Sequence, residues 1–159
     1  MSKPSKYKGK AKERTPEEIE AYNAEKKLQL IKTVELNKDI ARCADRKDLK
    51  KAMTLFESAD ALEVQKNTHT FASIMNVCIR CGDIIEAIRL FNMLKSSAQY
   101  KQLDLVCCTT LMKGYCGEGD VANALQILTD MVAQRPHPVH PNIRTVNTLL
   151  RGCVLIGDY

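Results

Sequence analysis

The stretch GDIIEAIRLF, residues 82 to 91, joins a turn glycine, a helix-capping aspartate and an amphipathic helix. Similar runs lie on either side, KDLKKAMTLF at 47 to 56 and GDVANALQIL at 119 to 128. Asp48, Asp83 and Asp120 stand 35 and 37 residues apart, and Gly157-Asp158 reopens the pattern 38 residues further on. Self-similarity at this interval marks a repeat architecture.

Within each run the apolar residues fall on one helical face: Leu49, Ala52, Met53 and Phe56; Ile84, Ala87, Ile88 and Phe91; Val121, Ala124, Leu125 and Leu128. Ala52, Ala87 and Ala124 share one place, a small residue where two helices approach closely. Asp48, Asp83 and Asp120 can cap the unpaired amides of their helices, and Asp83 has Glu86 at the capping-box position. Gly82 and Gly119 suit a turn that needs positive φ, whereas Lys47 fills that place in the first run and leaves its turn open to differ. Each run is preceded by another helical segment: VELNKDIARCADR, HTFASIMNVCIRC and VCCTTLMKGYCGE, with RTVNTLLRGCVLI following the last. These align on Ile40, Met75, Met112 and Leu150. Two short antiparallel helices per unit cannot bury their apolar faces alone, so the units must stack into an all-α helical solenoid.

The rest of the composition narrows the class. The chain has 159 residues, 45% apolar content and no tryptophan. No apolar run approaches the roughly 18 residues of a membrane span, so no membrane partner is expected. Seven cysteines fit a reducing compartment better than a disulfide framework. The formal charge of +5 is carried by residues 1–14, a lysine-rich tail expected to be disordered, and the remainder sums to zero. That tail lacks the apolar core of a secretory signal and the arginine-rich amphipathic pattern of a mitochondrial one. Thr15-Pro16-Glu17-Glu18 opens a capping helix over 15–32, which either breaks near Thr33 or runs on into the following helix, with a thin stripe of Ile19, Tyr22, Leu28 and Ile31 expected to cover the end of the array.

The segments TVNTLLRGCVLIGDY, CTTLMKGYCGEGDVANALQIL and TFASIMNVCIRCGDIIEAIRLF resemble the pentatricopeptide repeat, and the likeness spans about residues 33 to 159. The resemblance implies a right-handed superhelical solenoid of P-type-like helix-turn-helix repeats at 33–67, 68–104 and 105–142, with a partial unit at 143–159. It also implies that the chain is the N-terminal part of a longer array. In that family each repeat faces one base of single-stranded RNA. The base is read by a polar residue near the start of the first helix and by the last residue of the repeat. Carried over, the reading pairs are Asn37 with Asn67, Ala72 with Asp104, and Thr109 with Asn142, while Asn147 opens a fourth. The family's pattern implies adenine for Thr109/Asn142, pyrimidines for Asn37/Asn67 and Asn147, and poor discrimination at Ala72. The residues that flank the bases would be Val34, His69, Val106 and Arg144.

Catalysis is not expected. Cys78 and Cys81 have the spacing of half a zinc site, but no second pair completes it. Cys43, Cys78 and Cys153 share one position in three repeats and read as small core residues. His69 is followed by Thr70 and Phe71, so the His-x-Glu of a cytidine deaminase is missing. No cofactor is expected. The resemblance implies single-stranded RNA binding in RNA processing, stability or translation, with a mitochondrion or plastid as the compartment and the nucleus or cytoplasm as the alternative. A scaffold subunit contacting protein in a ribonucleoprotein assembly, or the substrate-binding arm of an RNA-processing enzyme, would use the same superhelix.

Overall fold

The computed structural model describes residues 15–97, 104–133 and 138–157. These form seven helices, with no strand among the described residues: α1 (Pro16–Arg46), α2 (Leu49–Ala61), α3 (Thr68–Arg80), α4 (Ile84–Ser96), α5 (Leu105–Gly117), α6 (Val121–Ala133) and α7 (Ile143–Gly157). The tail at 1–14 and much of the two longer linkers lie outside the described residues.

Thr15 caps α1 through a reciprocal pair of bonds. Its Oγ1 accepts from the Glu18 N–H at 3.3 Å, and its own N–H donates to Glu18 Oε2 at 2.9 Å. No glycine or proline interrupts residues 17 to 46, and α1 runs through Thr33 as one helix of 31 residues. Continuity has a consequence for the apolar stripe. With no break to let the first half of α1 fold back over the array, Ile19, Tyr22, Leu28 and Ile31 are exposed instead of covering its end. Burial begins at Thr33, whose hydroxyl is shared between the carbonyls of Gln29 (2.9 Å) and Gln65 (2.8 Å).

Beyond that point the chain alternates between two layers. The first helices pack side by side, α1 on α3, α3 on α5 and α5 on α7, while α2, α4 and α6 each form a hairpin with the helix before. The result is an all-α helical-repeat solenoid. Asp48, Asp83 and Asp120 accept from the N–H groups of Lys51, Glu86 and Asn123, each at 3.0 Å. Glu86 does not close a capping box; its carboxylate pairs with Arg89 instead. Gly82 and Gly119 take φ of 80° and 77°, and Lys47 adopts the same left-handed geometry at φ 52°. The first turn therefore keeps its shape with a non-glycine residue, at a cost of roughly 1–2 kcal/mol.

Ala52, Ala87 and Ala124 are completely buried, as close helix approach requires. Around them one core runs along the array, including Ile40, Ile74, Met75, Leu90, Leu111 and Met112. Phe56 and Phe71 join α2 to α3 in an edge-to-face contact with centroids 5.2 Å apart. Leu125, expected on the buried face of α6, is exposed. Cys43 and Cys78 are core residues, but Cys153 at the equivalent place is exposed, because no described helix packs on that face of α7.

Candidate nucleic-acid interface

The sheet of first helices places the predicted reading residues in register, and one structural fact organises them. The residues expected to close the units, Asn67, Asp104 and Asn142, each stand immediately before the next first helix and accept from its free amides. Asn67 caps α3, its Oδ1 accepting from the Thr70 N–H at 2.9 Å. Asp104 caps α5, its Oδ1 accepting from the N–H groups of Val106 (2.6 Å) and Cys107 (3.4 Å). Asn142 stands before α7, its Oδ1 accepting from the Thr145 N–H at 3.0 Å. A residue that saturates an orphan helix amide is held rigidly, which suits a group that must meet a ligand in fixed geometry.

Two of the three predicted pairs are joined by hydrogen bonds. Asn37 Nδ2 donates to Asn67 Oδ1 at 3.3 Å across the boundary between α1 and α3. Asn37 Oδ1 is buried and has no partner among the described residues. Thr109 reaches Asn142 indirectly, because its hydroxyl bonds to that of Thr145 at 3.0 Å and Thr145 Oγ1 lies 3.2 Å from Asn142 Oδ1. The middle pair is not joined: Ala72 is 6% exposed and offers no polar group, and Asp104 is occupied by the cap. Asn147 is exposed on α7.

Val34, His69, Val106 and Arg144 sit one turn ahead of the polar positions, and all four are exposed. They form a row on the same edge of the first helices, spaced one per unit. Further along, Lys113 Nζ donates to Asn76 Oδ1 at 3.2 Å, and Arg80 pairs with Asp45 at 2.9 Å. Both contacts bridge successive first helices.

The sequence reading missed the buried residues behind the pairs. Thr70, Cys107 and Thr145 are fully buried and occupy one repeat-equivalent position, the third residue of each first helix. The signal was present in NTHT and NIRT, each a capping residue with a hydroxyl three places on. Cys107 breaks the pattern, its thiol donating to the Thr68 carbonyl at 3.3 Å. Burial, reinforced by the Asp104 carboxylate, pushes that thiol up to about 12. Cys78 is likewise pushed up to about 12, chiefly by burial. A thiol held protonated is a poor metal ligand, and no group of three or more metal-binding side chains occurs among the described residues.

Comparison with known proteins places this geometry in a family. A model described as the pentacotripeptide-repeat region of PRORP matches residues 23–158, and the chain belongs to this pentatricopeptide-repeat family. A mitochondrial pentatricopeptide repeat-containing protein of Arabidopsis thaliana is 33% identical over 86 residues, 54% of this chain and 11% of its own length. The mitochondrial 15S rRNA processing factor ppr3 of Schizosaccharomyces japonicus is 27% identical over 113 residues, 71% of this chain and 17% of its own. The crystal structure of the pentatricopeptide repeat protein PPR10 in complex with an 18-nt psaJ RNA element superposes with a TM-score of 0.68 at 29% identity, over 75% of this chain and 17% of that one. The crystal structure of the pentatricopeptide repeat protein PPR10 from maize gives a TM-score of 0.66 at 26% identity, over 79% of this chain and 18% of that one. The chain thus spans less than a fifth of the length of these relatives.

Proposed function

We propose that this chain binds single-stranded RNA along the face built by α1 from Thr33 onward, α3, α5 and α7, and serves RNA processing, stability or translation without catalysing a reaction itself. The observation that carries the reading is the polar pair held at two of the three unit boundaries, Asn37/Asn67 and Thr109/Asn142, beside a row of exposed residues. Amide and hydroxyl groups fixed at this spacing can meet the Watson–Crick edges of unpaired bases, while flanking side chains cover the base faces. The repeats in this reading are 33–67, 68–104, 105–142 and 143–159, with Asn37/Asn67, Thr109/Asn142 and Asn147 as base readers. Ala72/Asp104 contacts a base with little discrimination. Val34, His69, Val106 and Arg144 flank the bases, with His69 and Arg144 stacking best. The likeness to an RNA-bound relative and to an rRNA processing factor supports the choice of ligand. The mitochondrial relatives support an organellar compartment.

The expected affinity is modest. Stacked, hydrogen-bonded bases contribute about 1–3 kcal/mol each before ordering costs, so the few units here bind on the order of micromolar or weaker. The second reading is a scaffold subunit of a ribonucleoprotein assembly, favoured by the apolar surface left on α7, where Ile143, Leu150 and Val154 are all more than half exposed. Titration of labelled single-stranded and duplex RNA at two salt concentrations separates the two. The RNA reading predicts a preference for single strands that survives removal of residues 1–14. Base-blind binding that vanishes with the tail would favour the scaffold.

A further inference from the structure

The bonds around Thr145 have a direction that can be deduced from donor and acceptor chemistry alone. Asn142 Oδ1 faces the backbone N–H of Thr145 at 3.0 Å, and a backbone N–H can only donate. That contact fixes the oxygen inward and leaves the Nδ2 amino group to face outward. The 3.2 Å contact between Thr145 Oγ1 and the same oxygen must then be donated by the hydroxyl, which has one proton to give. With that proton spent, the 3.0 Å bond between Thr109 and Thr145 must be donated by Thr109. The chain runs one way, Thr109 O–H to Thr145 Oγ1, and Thr145 O–H to Asn142 Oδ1. Thr109 is left able only to accept from a ligand, and Asn142 only to donate through Nδ2.

We propose that Thr145, fully buried and belonging to the following unit, is a positioning residue that sets the hydrogen-bond polarity of the Thr109/Asn142 pair and so its choice between adenine and guanine. The assignment rests on the RNA-binding reading above. Adenine presents an amino donor beside a ring-nitrogen acceptor, and guanine presents a carbonyl acceptor beside a ring N–H donor. A pair locked as one acceptor and one donor in fixed order meets the first pattern and refuses the second. Guanine would be met only if Asn142 turned over and Thr109 redirected its proton together. Thr145 removes both freedoms with one hydroxyl.

The other units support the same role. At the first boundary Asn67 Oδ1 accepts from the Thr70 N–H (2.9 Å), the Thr70 hydroxyl (3.0 Å) and Asn37 Nδ2 (3.3 Å), so its amide is also held oxygen-inward. At the second boundary Cys107 replaces the threonine and sends its proton to the Thr68 carbonyl, and the pair it would serve contains Ala72. The hydroxyl is present where the pair is polar on both sides and absent where it is not.

The test compares the full chain with Thr145→Val and Thr145→Ser on short oligouridines carrying one adenine or one guanine at each successive position. Wild type and Thr145→Ser are expected to prefer adenine at one position, and Thr145→Val to lose roughly tenfold of that preference while keeping its affinity for the uridine flanks. In the free proteins, NMR relaxation of the Asn142 side-chain amide should report an ordered group in wild type and Thr145→Ser and a mobile one in Thr145→Val. Should Thr145→Val fail to fold, Thr145→Cys makes the same comparison, since the fold accommodates a thiol at the equivalent position 107. An adenine preference and an ordered amide that both persist in the valine variant would overturn the assignment. A wild type that ignores base identity, with the amide ordered as expected, would instead overturn the RNA reading and with it the adenine–guanine role.

Discussion

The middle of the array and its ends are made from the same kind of sequence, yet they bury very different amounts of it. α3, with thirteen residues, buries seven of them, whereas α7, with fifteen, buries only Thr145 and Gly152. Their sequences are similarly apolar, and the difference lies in what stands beside them. α3 has α1, α2, α4 and α5 as neighbours, and α7 has α5 and α6. The first half of α1 is the extreme case, since none of its residues from 16 to 32 is buried. Stability in such a molecule belongs to interfaces between neighbouring units more than to any helix by itself. The polar pairs obey the same rule, because each is completed by the unit that follows.

The largest effect that would sharpen this contrast is expected at high pH. Cys78, Cys107 and Cys108 lie in the middle helices, and burial raises each thiol from 9.0 to about 12. Folding therefore favours the protonated form. The stabilisation is fully present below the unfolded value near 9 and is lost as pH rises through the folded value. Thermal unfolding should show a steep loss of stability between pH 9 and about pH 12, which a Cys78→Ala/Cys107→Ser/Cys108→Ala variant loses less steeply. A thiol-specific reagent at neutral pH should label exposed Cys153 readily and these three only on unfolding.

Side-chain truncation should follow the same gradient. Met75→Ala, fully buried in α3, is expected to cost about 2–5 kcal/mol in denaturant unfolding, while Val154→Ala, on the open face of α7, should stay within about 0.5 kcal/mol. Equal costs would contradict the nearest-neighbour account. Between these lies Gly152→Ala. A Cβ there would meet Cys116 Sγ at 2.5 Å and Cβ at 2.7 Å, so α7 must move off α5. A loss of about 1–3 kcal/mol is expected, together with faster hydrogen exchange confined to α7. The smallest effect has the opposite sign. Lys47→Gly should stabilise the protein by up to about 1 kcal/mol, the balance of left-handed strain relieved against the extra chain entropy of glycine.

The hairpins were legible because each second helix carries its own punctuation, an aspartate cap and, in two units, a glycine turn, ahead of a one-faced apolar pattern. The proposed reading pairs were legible only through the family resemblance, and the geometry beneath them was not. Thr109, Thr145 and Asn142 meet because the units stack, and the contact between residues 109 and 145 spans 36 positions in sequence. No local pattern encodes that approach. The unbroken course of α1 follows from the lack of a glycine or proline near Thr33, which says that a break is unnecessary without saying where the helix lies. Leu125 and Cys153 mislead for one physical reason. Periodicity identifies a face that can be buried, and only a neighbour buries it.

The most direct test of the central claim is equilibrium binding of wild type and Thr109→Ala/Asn142→Ala to short single-stranded RNAs that vary one base at a time. The account predicts an adenine preference at a single position in wild type that is lost in the double variant, with binding to the remaining bases retained. An adenine preference that survives in the double variant would contradict it, as would the same affinity for every base in wild type.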